Sequence, residues 1–251
     1  MLVACSLILA FWITVFVGVE RLVPGTAPTE HELKKRLISI LHGSITFPLS
    51  AGYLLRTGMG FCDEATSEEK TLVLFSMTYF AFDLAACVRS GICDGNLALH
   101  HSCSILGFLV AFVAPFGAKC SIYGLFVTGA SNAPMNLRAI LRIRGKRHTK
   151  LYEVMECVYL SLYIVFRGLF APCSVFYCVS CPRTPGAITL MGILLTSQSW
   201  HFIAKMLGII KKKVNELEER RGKALALWWL EVNPTLGGLT YFNKNGSQGI
   251  F

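Results

Sequence analysis

The stretch GNLALHHSCSILGFLVAFVAPFG, residues 95–117, places adjacent His100 and His101 at the start of an apolar run long enough to cross a bilayer. Ionisable side chains inside a spanning segment cost free energy, so they usually face the protein interior or a wet cavity and indicate a function. Adjacent helical residues point about 100° apart. One histidine of the pair can therefore face a cavity while the other packs against a neighbouring helix.

The composition of the chain is that of an integral membrane protein. Apolar residues make up 53% and charged residues 16% of its 251 residues, proportions outside the range of soluble domains. The net charge of +9 resembles that of nucleic-acid-binding proteins, but the basic residues lie between apolar runs, where cytosolic loops collect Lys and Arg. We therefore expect membrane lipids and no nucleic acid as partners, and the oligomeric state stays open.

The apolar runs predict an all-α integral membrane protein with about seven transmembrane helices. The predicted spans are residues 2–19, 37–55, 72–88, 97–117, 121–141, 151–179 and 186–210. They divide the chain into a first helix with a cytosolic linker (1–36), a six-helix transmembrane domain (37–210) and a basic cytosolic tail (211–251). The first run lacks a basic segment before it and a small-residue cleavage pattern after it, which favours a retained helix over a signal peptide.

The distribution of basic residues predicts how the spans are oriented, because cytosolic loops are enriched in Lys and Arg. The loops after the first, third and fifth spans and the tail carry most of the loop Lys and Arg residues. The N-terminus is therefore predicted to face the lumen or the exterior, and the C-terminus the cytosol. We expect a multi-pass protein of the endomembrane system, with the endoplasmic reticulum favoured over the plasma membrane.

This topology places polar side chains of several spans close to the cytosolic ends of their helices, roughly 6–9 Å deep. We predict a polar cavity in the cytosolic half of the bundle, lined by His42, Asn132, Arg138, Glu156 and His201. Packing of His42 and His201, and snorkelling of Arg138 to the interface, are the alternatives. Arg167 lies deeper and needs a carbonyl, a water or an acid as its partner.

The histidine pair suits acid–base or nucleophilic chemistry. A neutral imidazole can act as a general base or as a nucleophile toward an acyl donor, and a neighbouring carboxylate fixes its tautomer. Asp83 on the preceding span is the candidate carboxylate, and its structural alternative is to accept a hydrogen bond from His100, His101 or another helix. Adjacent helical histidines rarely bind one ion, so we expect no metal. No resident cofactor is expected either.

Three segments carry a resemblance to a known family: YFAFDLAACV (79–88), LALHHSCSILGF (97–108) and NLRAIL (136–141). In order and spacing they resemble the TLC-domain family, which includes the ceramide synthases. The resemblance implies six spans, the second to the seventh, around a lipid-sized tunnel that the histidine pair faces. In ceramide synthases this pair belongs to the acyl-transfer site, a role that by resemblance falls on His100 and His101, with acyl-CoA as the co-substrate.

The chain departs from the ceramide synthases after the histidines. Those enzymes carry a His-Asp-x-x-Asp motif in the next span, whereas residues 124–141, GLFVTGASNAPMNLRAIL, contain no acid. Many small relatives place a Glu where this chain has Gly129 or Ala130. We therefore expect a protein of membrane lipid homeostasis that binds acyl chains or a lipid. The alternatives are an acyl-CoA-dependent N-acyltransferase acting on a sphingoid-like amine and, from another class, a transporter or channel.

Four of the ten cysteines lie in or near the predicted non-cytosolic loops, where disulfides are stable: Cys62, Cys120, Cys178 and Cys181. At least one bridge can form among them, but spacing does not decide which cysteines pair. The glycosylation sequon at residues 245–247 lies in the predicted cytosolic tail, so we expect it to be unmodified.

Overall fold

The computed structural model describes residues 2–238, which are mostly helical with short connections. The helices of this part of the chain are α1 (Leu2–Leu22), α2 (Pro28–Thr57), α3 (Ser67–Arg89), α4 (Gly95–Val113), α5 (Ala118–Gly129), α6 (Asn132–Ile143), α7 (Lys150–Leu162), a π-helical segment (Tyr163–Phe170), α8 (Ala171–Ser180), α9 (Gly186–Gly222) and a short 3-10 helix (Pro234–Gly238). The sequon at 245–247 and the last part of the predicted tail lie outside the described residues.

Six of the described helices are long and apolar enough to cross a membrane: α1, α2, α3, α4, the continuous helix Lys150–Ser180 and α9. The predicted all-α membrane fold is therefore confirmed. The predicted fifth span differs from the others, because residues 121–141 fall on two short helices, α5 and α6, with a break between Gly129 and Asn132.

On the two sides of this break, α2 lies unusually close to α5 and to α6. A Cβ atom on Gly129 would lie 2.9 Å from Phe47 Cβ, and one on Gly43 would lie 2.6 Å from Asn132 Nδ2. The missing side chains let α2 pack directly on α5 and α6, as small residues do between membrane helices. Pro134 in the first turn of α6 is compatible with a helix start but would disrupt a continuous helix.

Helix α2 begins at Pro28, well before the predicted start of the second span at residue 37. Proline suits a first helical turn, and Glu30 accepts a hydrogen bond from the Ala27 amide at 2.8 Å. Lys34 pairs with Glu20 of α1 at 2.6 Å, which neutralises part of the charge in this stretch. The segment predicted as a polar linker is thus largely helical, and the predicted boundary after residue 36 falls inside α2.

The connections meet at two opposite ends of the bundle. One end, called the disulfide end, comprises residues 58–66, 114–117 and 181–185. Cys62 and Cys181 form a disulfide there, and the Ala65 amide donates to the Pro115 carbonyl at 2.7 Å. Of the four cysteines considered above, Cys120 and Cys178 remain thiols.

The other end, called the charged end, comprises residues 90–94, 144–149 and the extension of α9 past residue 210. Ion pairs join this extension to α7 and to the loop before it, at 2.6 Å between Arg220 and Glu153 and at 3.2 Å between Arg147 and Glu216. Alternate connections lie at alternate ends, so the α3–α4 and α6–α7 loops share the charged end, and the α2–α3 and α8–α9 loops share the disulfide end.

Candidate functional site

A cavity lies between α4, α5, α8 with the π-helical segment before it, and α9, with Phe80 of α3 on one side. Its volume is about 110 Å³, enough for several water-sized groups. On α9 the lining extends from Ile188 to Ser199, a rise of about 16 Å at the spacing of an α-helix. The cavity is therefore long and narrow and runs along the helices.

The two ends of this cavity differ in chemistry. The polar end, which lies toward the charged end of the bundle, is formed by His100, Thr128, Arg167, Thr196 and Ser199. The opposite end is formed by Cys120, Cys178 and Ile188. A ligand with one polar and one apolar end would match this arrangement.

His100 faces the cavity from the N-terminal part of α4. Its ring packs edge-on against Phe80, with the ring centroids 5.8 Å apart, and a side-chain hydrogen bond joins it to Gln198 of α9. Gln198 Nε2 donates to the Asn96 carbonyl at 2.7 Å, so Gln198 Oε1 is the atom available to accept from the imidazole. A neutral His100 then keeps its second ring nitrogen as an acceptor.

His101 lies one residue further and is buried between α4 and α3. Its Nε2 is 2.7 Å from Asp83 Oδ2, and its Nδ1 is 3.1 Å from the Leu97 carbonyl oxygen. Both ring nitrogens therefore lie within hydrogen-bond distance of an oxygen atom, and the contact with Asp83 joins α4 to α3. His101 therefore has no free nitrogen with which to act as a base or nucleophile, and the pair joins two helices.

Arg167 reaches the polar end of the cavity from the π-helical segment. Its Nη2 donates to the Thr128 carbonyl at 3.3 Å, and a carbonyl is one of the three partners that the sequence predicts for this arginine. Because α5 ends at Gly129, its last carbonyls lack partners within the helix, and Arg167 satisfies one of them. The guanidinium carbon also lies 4.8 Å from the centroid of the Tyr163 ring, a cation–π contact.

Three of the predicted lining residues lie between other helices or on the surface. His42 is buried between α2 and α3, where its ring stacks on Tyr79 with the centroids 3.9 Å apart. Asn132 donates to the Ser39 carbonyl at 3.2 Å and ties α6 to α2. His201 is exposed on α9. The structure therefore does not bring these side chains to the cavity that His100 faces.

Arg138 and Glu156, the other two predicted lining residues, form an ion pair between α6 and α7. Arg138 Nε donates to Glu156 Oε1 at 2.9 Å, and the Tyr152 hydroxyl donates to the same oxygen at 3.2 Å. Lys213 of α9 lies 3.5 Å from Glu156 Oε2. Each charge of this cluster has a partner, so the cluster joins three helices near the charged end rather than presenting a free group to a ligand.

Sequence reasoning missed most residues that line the cavity. The signal lies in helical periodicity: lining residues of α9 recur at intervals of three or four positions, at Ile188, Met191, Leu195 and Ser199. On α5 small residues recur in the same way, at Ser121, Gly124 and Thr128. Within residues 2–238 no group of three or more His, Cys, Asp or Glu side chains is arranged to hold a metal ion.

The comparisons with known proteins cover the helices that enclose this cavity. The model of the TLC domain matches residues 32–207. The chain is similar to the TLC domain-containing protein At5g14285 of Arabidopsis thaliana, at 25% identity over 148 residues, which are 56% of this chain and 58% of that protein. The chain thus spans little more than half the length of this curated relative. No solved structure matches. Since the matched residues cover well over half of the sequence, the chain belongs to the TLC-domain family.

Proposed function

We propose that this TLC-family membrane protein acts in membrane lipid homeostasis and binds a lipid acyl chain in the cavity between α4, α5, α8 and α9. The observation that carries the proposal is the form of this cavity. It is a narrow tube about 16 Å long, with a polar end at His100 and Arg167 and an opposite end at Cys178 and Ile188.

The walls of the tube favour hydrocarbon over water. Between its two ends they include Phe80, Phe108, Leu125, Val127, Met191 and Leu195. Most of this wall offers water no hydrogen-bond partner, whereas an acyl chain would gain dispersion contacts with the apolar side chains. Ligand pockets in proteins typically combine apolar walls with a few polar groups that orient the ligand.

A substitution that fills the tube tests acyl-chain binding. A Cβ atom added at Gly124, which lines the cavity, meets no atom within 4 Å, so Gly124→Leu extends into the tube without a backbone clash. Gly208→Leu is the matched control, because a Cβ atom there also meets nothing, on an exposed face of α9. We expect a photoreactive fatty acid to label wild type and Gly208→Leu, and to label Gly124→Leu far less. Equal labelling of the two variants would contradict the proposal.

The cellular role is tested with the same pair of variants. Removing the chain from cells should change the membrane lipid profile, and restoring wild type or Gly208→Leu should reverse that change. We expect Gly124→Leu to fail in this rescue, because its tube is filled. A lipidome that does not respond to removal of the chain would argue against a role in lipid homeostasis.

A second candidate function is acyl transfer from acyl-CoA to a sphingoid-like amine, which the second ring nitrogen of His100, a residue that lines the cavity, favours. As a general base, this nitrogen would take a proton from the amine while the amine nitrogen bonds to the thioester carbon. The carbon–sulfur bond then breaks, and the CoA thiolate leaves with the proton from the imidazole. His101 and Asp83 would contribute by holding α4 against α3, since neither His101 nitrogen is free.

Purified protein with acyl-CoA and a sphingoid base tests this second candidate. We expect His100→Ala to abolish N-acylated product, while His201→Ala, which removes an exposed histidine of α9, leaves it unchanged. Product formation by the His100→Ala variant would show that His100 does not act in the reaction. No product from wild type across acyl-CoA chain lengths would leave lipid binding as the function.

We further propose that the charged end of the bundle faces the cytosol and the disulfide end faces the lumen of the endoplasmic reticulum. Basic loops at the charged end support this orientation, and a disulfide suits an oxidising compartment. An epitope tag at the C-terminus should be reached by antibody after selective permeabilisation of the plasma membrane. A tag at the N-terminus should require permeabilisation of internal membranes, and the reverse result would overturn the orientation.

A further inference from the structure

Arg167 has unused hydrogen-bond donors at the polar end of the cavity. Its Nη2 donates to the Thr128 carbonyl, whereas its Nε is buried without a hydrogen-bond partner. An arginine carries five N–H donors in a fixed planar arrangement and stays protonated in proteins. The Thr128 carbonyl and the face of the Tyr163 ring thus leave most of this donor capacity unused and give the positive charge no anionic partner.

No carboxylate within the described residues pairs with Arg167, and the cavity lining contains neither Asp nor Glu. Other basic side chains of the bundle do have such partners: Arg138 lies 2.9 Å from Glu156, and Lys34 lies 2.6 Å from Glu20. A cation held between membrane helices without a counter-charge is unfavourable. An anion that enters the cavity would therefore be stabilised at this point.

The rest of the cavity indicates which kind of molecule bears the anionic group. A volume of about 110 Å³ corresponds to roughly eight water-sized positions. Spread over about 16 Å of helix rise, these positions hold a segment of one hydrocarbon chain and leave no room for a second chain beside it. A charged group at the polar end and an apolar chain in the tube together describe a single-chain anionic lipid.

We propose that Arg167 binds the anionic head of a single-chain lipid, a fatty-acid carboxylate or a lysophospholipid phosphate, whose chain occupies the tube. This inference rests on the lipid-binding function proposed above and specifies the ligand class. Guanidinium groups bind carboxylate and phosphate oxygens through paired N–H donors, and the side chain of Arg167 lines the cavity. The Thr196 hydroxyl at the same end of the cavity is a further donor.

Three probes with chains of the same length and different heads test this assignment: palmitate, 16-carbon lysophosphatidate and neutral hexadecanol. Each is titrated into delipidated full-length protein at pH 8, where the carboxylate is ionised, and the dissociation constants are compared. For wild type we expect palmitate or lysophosphatidate to bind about 10- to 100-fold more tightly than hexadecanol, the range for a hydrogen-bonded charge. The tighter of the two anionic probes identifies the head group.

The variants separate head binding from the capping of α5. Arg167→Gln removes the charge but keeps an amide that can donate to the Thr128 carbonyl, so hexadecanol affinity should persist while the anion preference disappears. Arg167→Lys keeps the charge without the paired donors and should retain part of the preference. Arg183→Gln, at an exposed arginine of the disulfide end, is the matched control and should keep the full preference for the anionic probes over hexadecanol.

The outcomes distinguish this inference from the function on which it rests. Equal affinity of wild type for palmitate and hexadecanol would overturn the head-group site and leave acyl-chain binding intact. Failure of every probe to bind wild type would overturn acyl-chain binding itself. An anion preference that survives in a folded Arg167→Gln variant, with thermal unfolding as the check, would assign the preference to another group and contradict the proposal.

Discussion

His100 and His101 are neighbours in the chain with different environments. His100 lines the cavity, while His101 is buried against Asp83 with both nitrogens engaged. The separation follows from the angle of about 100° between successive helical residues. Asp83 accepts its hydrogen bond from His101, one of the partners that the sequence predicts for it. One residue of the pair therefore offers chemistry, and the other stabilises the helix that carries it.

Breaking the Asp83–His101 pair should destabilise the bundle far more than removing His100. His101→Ala leaves the buried carboxyl group of Asp83 without its partner, and loss of one partner of a buried pair costs about 3–5 kcal/mol. We expect a clear fall in the unfolding temperature of His101→Ala in detergent and a small change for His100→Ala. In the double variant with Asp83→Ala the losses should be less than additive. An unchanged unfolding temperature for His101→Ala would contradict the pairing.

His148, in the loop between α6 and α7, makes stability depend on pH. Burial, with the neighbouring Arg147, Lys213 and Arg220, lowers the pKa of His148 from 6.5 to about 4. Between these two values the unfolded chain binds a proton that the folded chain does not. The part of the free energy of unfolding that depends on a neutral His148 is therefore fully present above about pH 6.5. It is lost as the pH falls toward 4.

The measurement is the unfolding temperature of the protein in detergent between pH 7.5 and pH 4.5. Wild type should lose more stability over this range than His148→Gln, which has no titrating group at this position. The difference between the two should develop below about pH 6.5. Parallel profiles for wild type and His148→Gln would contradict the assignment.

At the scale of the elements, α1 is anchored to the bundle chiefly by Trp12. Trp12 is its one buried side chain within residues 3–22, and the Trp12 indole N–H donates to the Phe75 carbonyl of α3 at 3.0 Å. Because lipid tails solvate the rest of α1 as well as a neighbouring helix would, packing and this hydrogen bond hold it in place. The TLC-domain match begins at residue 32, after α1.

Replacing Trp12 should release α1 and leave the other helices together. Cysteines introduced as Phe16→Cys and Phe82→Cys report the contact, since the two phenyl rings lie 5.4 Å apart between centroids. We expect cross-linking of this pair to drop sharply on adding Trp12→Ala and to persist with Phe11→Ala, which removes a partly exposed neighbour. Unchanged cross-linking in Trp12→Ala would show that α1 is held by other contacts.

Hydropathy predicted where most helices lie, because a spanning helix must be apolar over its length. Hydropathy did not predict the helix boundaries where polar groups have partners within the protein. Helix α2 starts early, since Lys34 is neutralised by Glu20, and a window average does not register such pairs. Hydropathy also did not predict the break before Asn132, because the residues on both sides of the break are apolar enough to resemble one continuous span. The sequence does carry its signal, in Pro134 and the small residues before it.

The candidate site was predictable only in part. The histidine pair was found from its ionisable character, and the need of Arg167 for a partner from its depth in a span. The cavity itself depends on how four helices face one another, which no single helix reveals. Polar residues such as His42 and Arg138 were grouped by depth, but depth along a helix does not give the direction in which a side chain points.

At the scale of the whole molecule, the two ends are held in different ways. Several ion pairs join α7 and the extension of α9 at the charged end, among them Lys213 with Glu153 at 2.8 Å. A covalent bond between Cys62 and Cys181 joins the α2–α3 and α8–α9 connections at the disulfide end. High salt should therefore loosen the first end, and reducing agent the second.

The disulfide predicts a count of reactive thiols. Without reductant, denatured protein should be alkylated at eight of its ten cysteines, and after reduction at all ten. Cys62→Ser should expose Cys181 as a new thiol, giving nine alkylated cysteines in either condition. Cys93→Ser, at a free cysteine of the charged end, is the control and should keep the bridge. Alkylation of all ten cysteines in unreduced wild type would contradict the disulfide between Cys62 and Cys181.

The π-helical segment Tyr163–Phe170 makes the cavity tolerant of a one-residue deletion at this point of the span. A π-helical turn holds more residues than an α-helical turn, so deleting one residue here would let the span close as an α-helix without turning the side chains that follow. Ser174 and Cys178 would still line the cavity. The same deletion in α8 just before Ser174 would instead turn both side chains by about 100°. Relatives that are one residue shorter in this segment should therefore keep the same cavity wall.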